Sequence, residues 1–233
     1  MYSSGETAEG RYIVPYAIQD TVPSSNWQQI HDELDDFTLA MGCVEFVYDP
    51  EFSYEVGVHI TGDYSGGDGC WSYVGVSPGK TGNETNIHSG WQALRLPSDC
   101  ILRGGIQHEF LHAIGFMHEQ DRPDYLDYIE DREDAGGINA SYWVDTGHPF
   151  EPASNVMYPY FRLLNGRSYR PHSRMTTTDA EQDQGSKIPG AKKKERRTKK
   201  LQKNKNLLNF CSTVPIQLFS REALHRSAPL IFS

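Results

Sequence analysis

Three histidines and a glutamate lie within eleven residues of this chain, in the segment His108-Glu109-Phe110-Leu111-His112-Ala113-Ile114-Gly115-Phe116-Met117-His118. Histidines four apart share one face of a helix, so His108 and His112 can hold one metal ion while Glu109 projects toward whatever that ion binds. A third ligand cannot stay on the same helix and still reach that ion. Gly115 resolves the conflict, because a residue without Cβ can take positive φ, end the helix and send the chain back so that His118 completes a three-nitrogen site. Three protein ligands leave a coordination position open for water, which separates a catalytic zinc site from a structural one. The donor set therefore predicts one Zn2+ held by His108, His112 and His118, with Glu109 as general base for hydrolysis. Five fixed positions of this kind recur by chance in about one chain of this length in 10^5. An amphipathic helix with incidental histidines is thus a poor account of them.

Such a site needs elements to hold it. Ser24 and Ser25 precede Ile30, Leu34, Phe37 and Met41, spaced four, three and four, which predicts a capped amphipathic helix ending near Gly42. Cys43 to Tyr48 alternates as a strand and is closed by Asp49-Pro50; Tyr54 to Ile60 repeats the signal. A Gly- and Asp-rich loop, Thr61 to Gly69, leads to a strand at Cys70 to Val76. Gln92 to Leu96 reads as a short edge strand on which Arg95 is solvated, and the metal-binding helix is expected from about Leu102. This order fits a lobe built on a twisted sheet backed by helices. Beyond His118 the periodicity weakens and turn formers multiply, as in an irregular second lobe. Within it, Ser154-Asn155-Val156-Met157-Tyr158-Pro159-Tyr160 places a methionine in an apolar turn.

Composition bounds the rest. With 233 residues and 37% hydrophobic content the chain can build one substantial domain. The net charge of −9 is unevenly spread: ten Lys+Arg face twenty-nine Asp+Glu through Ser186, against twelve and two from Lys187 onward. That step marks a boundary, and the acidic body argues against nucleic acid as a partner of the catalytic domain. No apolar run reaches membrane-spanning length, and Met1 to Gly10 has no signal-peptide core. Ala191 to Lys205 has scarcely an apolar residue and is expected to be disordered. Four cysteines fit two disulfides or ordinary intracellular use. His31, His59, His88, His148, His172 and His225 have no ligand spacing and read as structural or solvent-facing. Asn83-Glu84-Thr85 and Asn139-Ala140-Ser141 are glycosylation triplets.

The segment His108 to Asp124 resembles the astacin family of zinc metalloendopeptidases, in which a Glu directly follows the third histidine and Gln, Arg and Asp come after it. Arg11 to Tyr16 is similar to that family's first strand, Gly69 to Gly75 to one of its hallmarks, and Thr178 to Gln182 to the start of its closing helix. The resemblance covers residues 11–184, leaving 1–10 as an N-terminal remnant and 185–233 as a basic, disordered or aberrant tail. It implies an α+β, metzincin-like fold: a twisted mixed sheet and active-site helix in an N-terminal lobe, with an irregular C-terminal lobe. It also implies a secreted endopeptidase, although neither signal peptide nor propeptide is seen in this sequence. Protein or peptide substrates would lie extended in the cleft, paired with the Gln92 to Leu96 edge. Met157 would support the site from below, and Glu119 would meet the mature N-terminus through water. Cys70 would pair with Cys100, and Cys43 with a cysteine at the end of the closing helix, for which Cys211 is a distant candidate. A family tyrosine that stabilises the transition state falls at Pro159 here. Tyr160 takes its role if one residue has been inserted, with Tyr158 as the alternative. A zinc-binding pseudoprotease that holds peptides without cleaving them is the rival reading.

Overall fold

Seven residues, Tyr12–Ile18, form β1 at the heart of the sheet, and five of the seven are buried. A strand covered on both faces must be apolar throughout rather than alternating, and YIVPYAI is. The computed structural model describes residue 7 and residues 10–62, 69–102, 104–130, 150–158, 163–164 and 230–232. β1 runs parallel to β2 (Val44–Tyr48) on one side and to β3 (Val58–Thr61) on the other. Pro15 sits inside this central strand at no cost to the ladder. The Tyr12 amide is spent on Cys43 O toward β2 and the Gln19 amide on Ile60 O toward β3. Strand alternation therefore aims position 15 toward β3, whose pairing begins only at Tyr16.

β5 (Gln92–Arg95) is parallel to β3, and β4 (Cys70–Ser72) is antiparallel to β5. The end of the chain adds β6 (Leu230–Phe232), antiparallel to β4, giving the order β2-β1-β3-β5-β4-β6. The expected edge strand is thus an inner one. β5 is flanked by β3 and β4, and Ala93 also donates its amide to Lys80 O. Arg95 is correspondingly not solvated: it is buried and faces the buried Glu84 carboxylate at 4.0 Å. The loop carrying Glu84 folds over this face, where Trp71, Tyr73 and Ala93 are buried with Ile87 against them. Asn83 and Thr85 of the same loop stay exposed.

One face of the sheet carries α1 (Trp27–Met41) and α3 (Gly105–Ala113). Ile30, Leu34, Phe37 and Met41 are all buried, as their spacing predicts, and Gly42 ends α1 at φ 71° with its amide on Thr38 O. The serines do not cap it. A 3-10 turn over Ser24–Asn26 precedes the helix, and Asn26 at the N-cap makes no side-chain capping bond. Phe110 of α3 meets Phe46 and Tyr16 edge-on, at 5.2 and 6.2 Å between ring centroids. Each fully buried side chain such as Phe37, Leu34 or Ile106 contributes about 1.5 to 3 kcal/mol of transfer free energy. Gln107 Nε2 donates to Glu33 Oε2 at 3.0 Å between α3 and α1, which fixes the rotation of α3 about its axis.

A short helix, α2 (Ser98–Leu102), stands before α3, so the metal-binding helix starts three residues later than expected. Gly104 makes the break at φ 76°, and a Cβ on Gly105 would lie 2.8 Å from Cys100 O. A disulfide joins Cys70 on β4 to Cys100 on α2, with Cα atoms 6.0 Å apart, as the resemblance implies. Cys43 is disulfide-bonded too, and Cys211, the distant candidate for its partner, lies outside the described residues. A second, smaller cluster gathers Ile129, Phe150, Met157 and Leu163. Among the described residues no helix is long and apolar enough to cross a membrane.

Candidate metal centre

His108 and His112 project from one face of α3, one turn apart, and both are buried. The helix closes with Ile114 N–H on Phe110 O, after which Phe116 N–H bonds Leu111 O and Gly115 takes φ 111°. A Cβ on Gly115 would meet nothing within 4 Å, so the demand for glycine here is conformational rather than steric. The reversed chain returns His118 to the other two. His112 Nε2 lies 3.0 Å from His108 Nε2 and 3.1 Å from His118 Nε2. Among the described residues these three form the one His, Cys, Asp or Glu group able to hold a metal ion.

Two of the rings are held from behind by hydrogen bonds, and the third has a carboxylate near it. His108 Nδ1 donates to Asn155 O and His112 Nδ1 to Phe116 O, both at 2.7 Å, and His118 Nδ1 faces Asp121 Oδ2 at 3.4 Å. With protons on Nδ1, all three Nε2 lone pairs turn to the common centre. Burial pushes His108 down to about 4 and His118 to about 3, and holds His112 well below the ordinary range. The imidazoles are therefore neutral at pH 7, the state a metal needs. Beside them Glu109 is fully enclosed, its carboxyl driven well above the usual carboxylate range by burial, with Oε2 bonded to nothing. An orphaned carboxyl oxygen in a dry site beside three converging nitrogens fits a divalent cation with a water to activate.

The profile of the peptidase family described as Astacin matches residues 6–136, which include β1 to β5, α3 and all three histidines. The chain belongs to the astacin family. Among curated astacin relatives, meprin A subunit beta of Rattus norvegicus is 33% identical over 125 residues, 54% of this chain and 15% of that protein. Blastula protease 10 of Paracentrotus lividus is 35% identical over 122 residues, 50% of this chain and 18% of that one. The matched stretch thus spans less than a fifth of either relative. The fold is also that of a solved hatching enzyme zinc-protease, high choriolytic enzyme 1 of Oryzias latipes. That structure aligns with a TM-score of 0.57 and 21% identity over 76% of this chain and 90% of its own.

The astacin signature continues past His118 into a 3-10 turn, Glu119–Asp121. Glu119 accepts the Glu151 amide at 2.9 Å and Arg122 Nη1 at 3.1 Å, while Arg122 grips both oxygens of Asp124 at 2.9 Å. Of residues 1–10, near which the mature N-terminus that Glu119 is expected to meet would fall, only Thr7 and Gly10 are among the described residues. Glu119 N–H bonds Val156 O, and Gln120 Oε1 accepts the Tyr158 amide, so the signature also fixes the methionine turn. Met157 is buried in the second cluster, and the Tyr158 ring lies 4.3 Å from that of His118. Pro159 and Tyr160 lie outside the described residues. Of the remaining histidines, His31 Nδ1 meets the Tyr16 hydroxyl at 2.6 Å, and His59 Nδ1 accepts the His88 amide at 3.2 Å. His148, His172 and His225 lie outside the described residues.

Two groups at the site escape a reading by residue type. Asn155 acts through its backbone carbonyl, which no side-chain pattern announces. Asp121 stands three residues after His118, a spacing that would have revealed it had the 3-10 turn been foreseen.

Proposed function

We propose that this chain is a zinc-dependent endopeptidase that hydrolyses internal peptide bonds of proteins, with His108, His112 and His118 as metal ligands and Glu109 as general base. The observation that carries this reading is the convergence of three Nε2 atoms beside a buried carboxyl with a free oxygen. Zinc, when bound, would supply Lewis-acid activation of a water and of the scissile carbonyl. The chain's own work is to place and move a proton. Glu109 accepts one from the attacking water on a carboxylate oxygen and returns it to the leaving amine nitrogen. The Asn155 and Phe116 carbonyls keep two of the rings from turning as charge develops.

Substrate is a protein chain presented in extended form. β5, being internal, cannot accept it by strand addition. β4 leads to the site, since the Gly75 amide just beyond it bonds His112 O. Its outer edge at Cys70–Ser72 is taken by β6, so an extended peptide joins the sheet there only in place of β6. For the hydroxyl that stabilises the oxyanion, Tyr160 is proposed on the registry of the methionine turn. Tyr158 is the alternative, favoured by its contact with His118. The Cys70–Cys100 disulfide supports secretion, because oxidising compartments are where such bonds persist.

The test is turnover of an unstructured protein substrate by zinc-loaded protein, its loss with chelators, and its loss in Glu109→Gln. General-base removal should lower kcat by about 10² to 10⁴ while zinc content stays near one per chain. Phe variants of Tyr158 and Tyr160 identify the hydroxyl by which of them lowers kcat. Proteolysis that persists in Glu109→Gln sinks the assignment, and zinc and peptide both bound without any turnover by the parent identify a peptide-holding pseudoprotease instead.

A further inference from the structure

The three ligand rings are not supported alike. Neutral carbonyls stand behind His108 and His112, whereas the group behind His118 is a carboxylate. Asp121 is buried, and its amide bonds His118 O at 3.1 Å, which leaves its Oδ2 3.4 Å from Nδ1, at the outer limit for a hydrogen bond. Both contacts come from the 3-10 turn Glu119–Asp121, which folds the carboxylate back over the preceding histidine. The nearby Arg122 does not compete for it, because its guanidinium is spent on Asp124 and Glu119.

We infer that Asp121 is a positioning residue for the metal, fixing the Nδ1–H tautomer and the ring plane of His118 and strengthening Nε2 as a donor. The inference rests on the metal-binding reading above. A carboxylate behind an imidazole draws the Nδ1 proton toward itself and leaves more electron density on Nε2, and loss of such a partner typically lowers metal affinity 10- to 100-fold. His118 is also the ligand most in need of support. His108 and His112 are anchored by α3, while His118 sits beyond Gly115 on irregular chain.

The experiment measures zinc affinity by competition with a chromophoric chelator for the parent, Asp121→Ala, Asp121→Asn and Asp127→Asn. Asp127 is exposed and removes the same charge from the same stretch. The zinc Kd should rise about 10- to 100-fold in Asp121→Ala. Asp121→Asn, which keeps an acceptor but no charge, should fall between Asp121→Ala and the parent, and Asp127→Asn should match the parent. Long-range proton–nitrogen spectra of the metal-free protein supply a second readout, one that a purely structural role would not move. The His118 ring should carry its proton on Nδ1 in the parent and lose that preference in Asp121→Ala. A parent that binds zinc, with Asp121→Ala binding it as tightly and the His118 tautomer unchanged, overturns the inference and leaves the metal reading standing. A parent that takes up no zinc overturns both.

Discussion

His59 gives the metal-free fold a pH dependence whose size can be worked out. The residue sits on β3 between Ala17 of β1 and Ala93 of β5, is 6% exposed, and accepts the His88 amide on Nδ1. Phe52 meets its ring edge-on at 5.2 Å and stacks on His88 at 4.1 Å. Burial, with repulsion from His88 second, pushes His59 down to about 4. An unfolded histidine titrates near 6.5, so the unfolded chain takes a proton that the fold refuses. Above about pH 6.5 both states are neutral and stability is full; as pH falls toward 4, stability is lost at about 1.4 kcal/mol per unit. The total is about 3 kcal/mol, with no further loss below the folded value.

The assay is urea unfolding of chelator-treated protein at pH 7.5 and 4.5, for the parent and for His59→Asn, whose side-chain oxygen can still accept the His88 amide. Zinc ligands and carboxylates titrate alike in both proteins and cancel in the difference. The parent should lose about 2 to 3 kcal/mol more than the variant between the two pH values, a midpoint shift of roughly 1 to 2 M urea. Parallel pH profiles would refute the reasoning, since they would mean that His59 takes its proton in the folded state without penalty.

Two further expectations concern supports of the site. Met157→Ala should destabilise the chain by about 2 to 5 kcal/mol by emptying the cluster of Ile129, Phe150 and Leu163, whereas Met157→Leu should cost under about 1.5 kcal/mol. Denaturant melts give the costs, and zinc affinity unchanged in Met157→Leu would show that the methionine serves by packing. Replacing Cys70 and Cys100 together by serine opens a loop whose ends are 30 residues apart, and thermal or denaturant unfolding should record a loss of about 3 to 4 kcal/mol.

The convergence of the three histidines was more legible than the sheet. His108, His112, Gly115 and His118 form a local pattern, set by helix geometry and one φ angle, and the chain places them as their spacing requires. α1 was legible for the same reason. Whether a strand is central or at an edge depends on partners far away in sequence. Gln92 to Arg95 is short and bounded by turns, as edge strands often are, yet β3 and β4 close over both of its sides. The burial of Arg95 likewise hangs on Glu84, a loop residue whose return to the sheet leaves no periodic mark. Cys70 to Val76 alternates convincingly, but the ladder stops at Ser72, where Ser77 and Gly75 turn to the Gln92 side chain.

The bonds that hold residues 150–158 bear on how the protein folds. The metal ligands lie four and six residues apart, so closing their loops costs little chain entropy, and the donor set can assemble as soon as α3 forms. The methionine turn is different. It is tied to the ligand segment by Asn155 to His108, Tyr158 to Gln120 and Glu151 to Glu119, across separations of 47, 38 and 32 residues. Each of these is a long-range closure, costlier in chain entropy than the loops between the histidines. Loop entropy therefore favours forming the ligand segment first. An ion captured early would be a template on which the second lobe docks rather than a late addition to a finished protein.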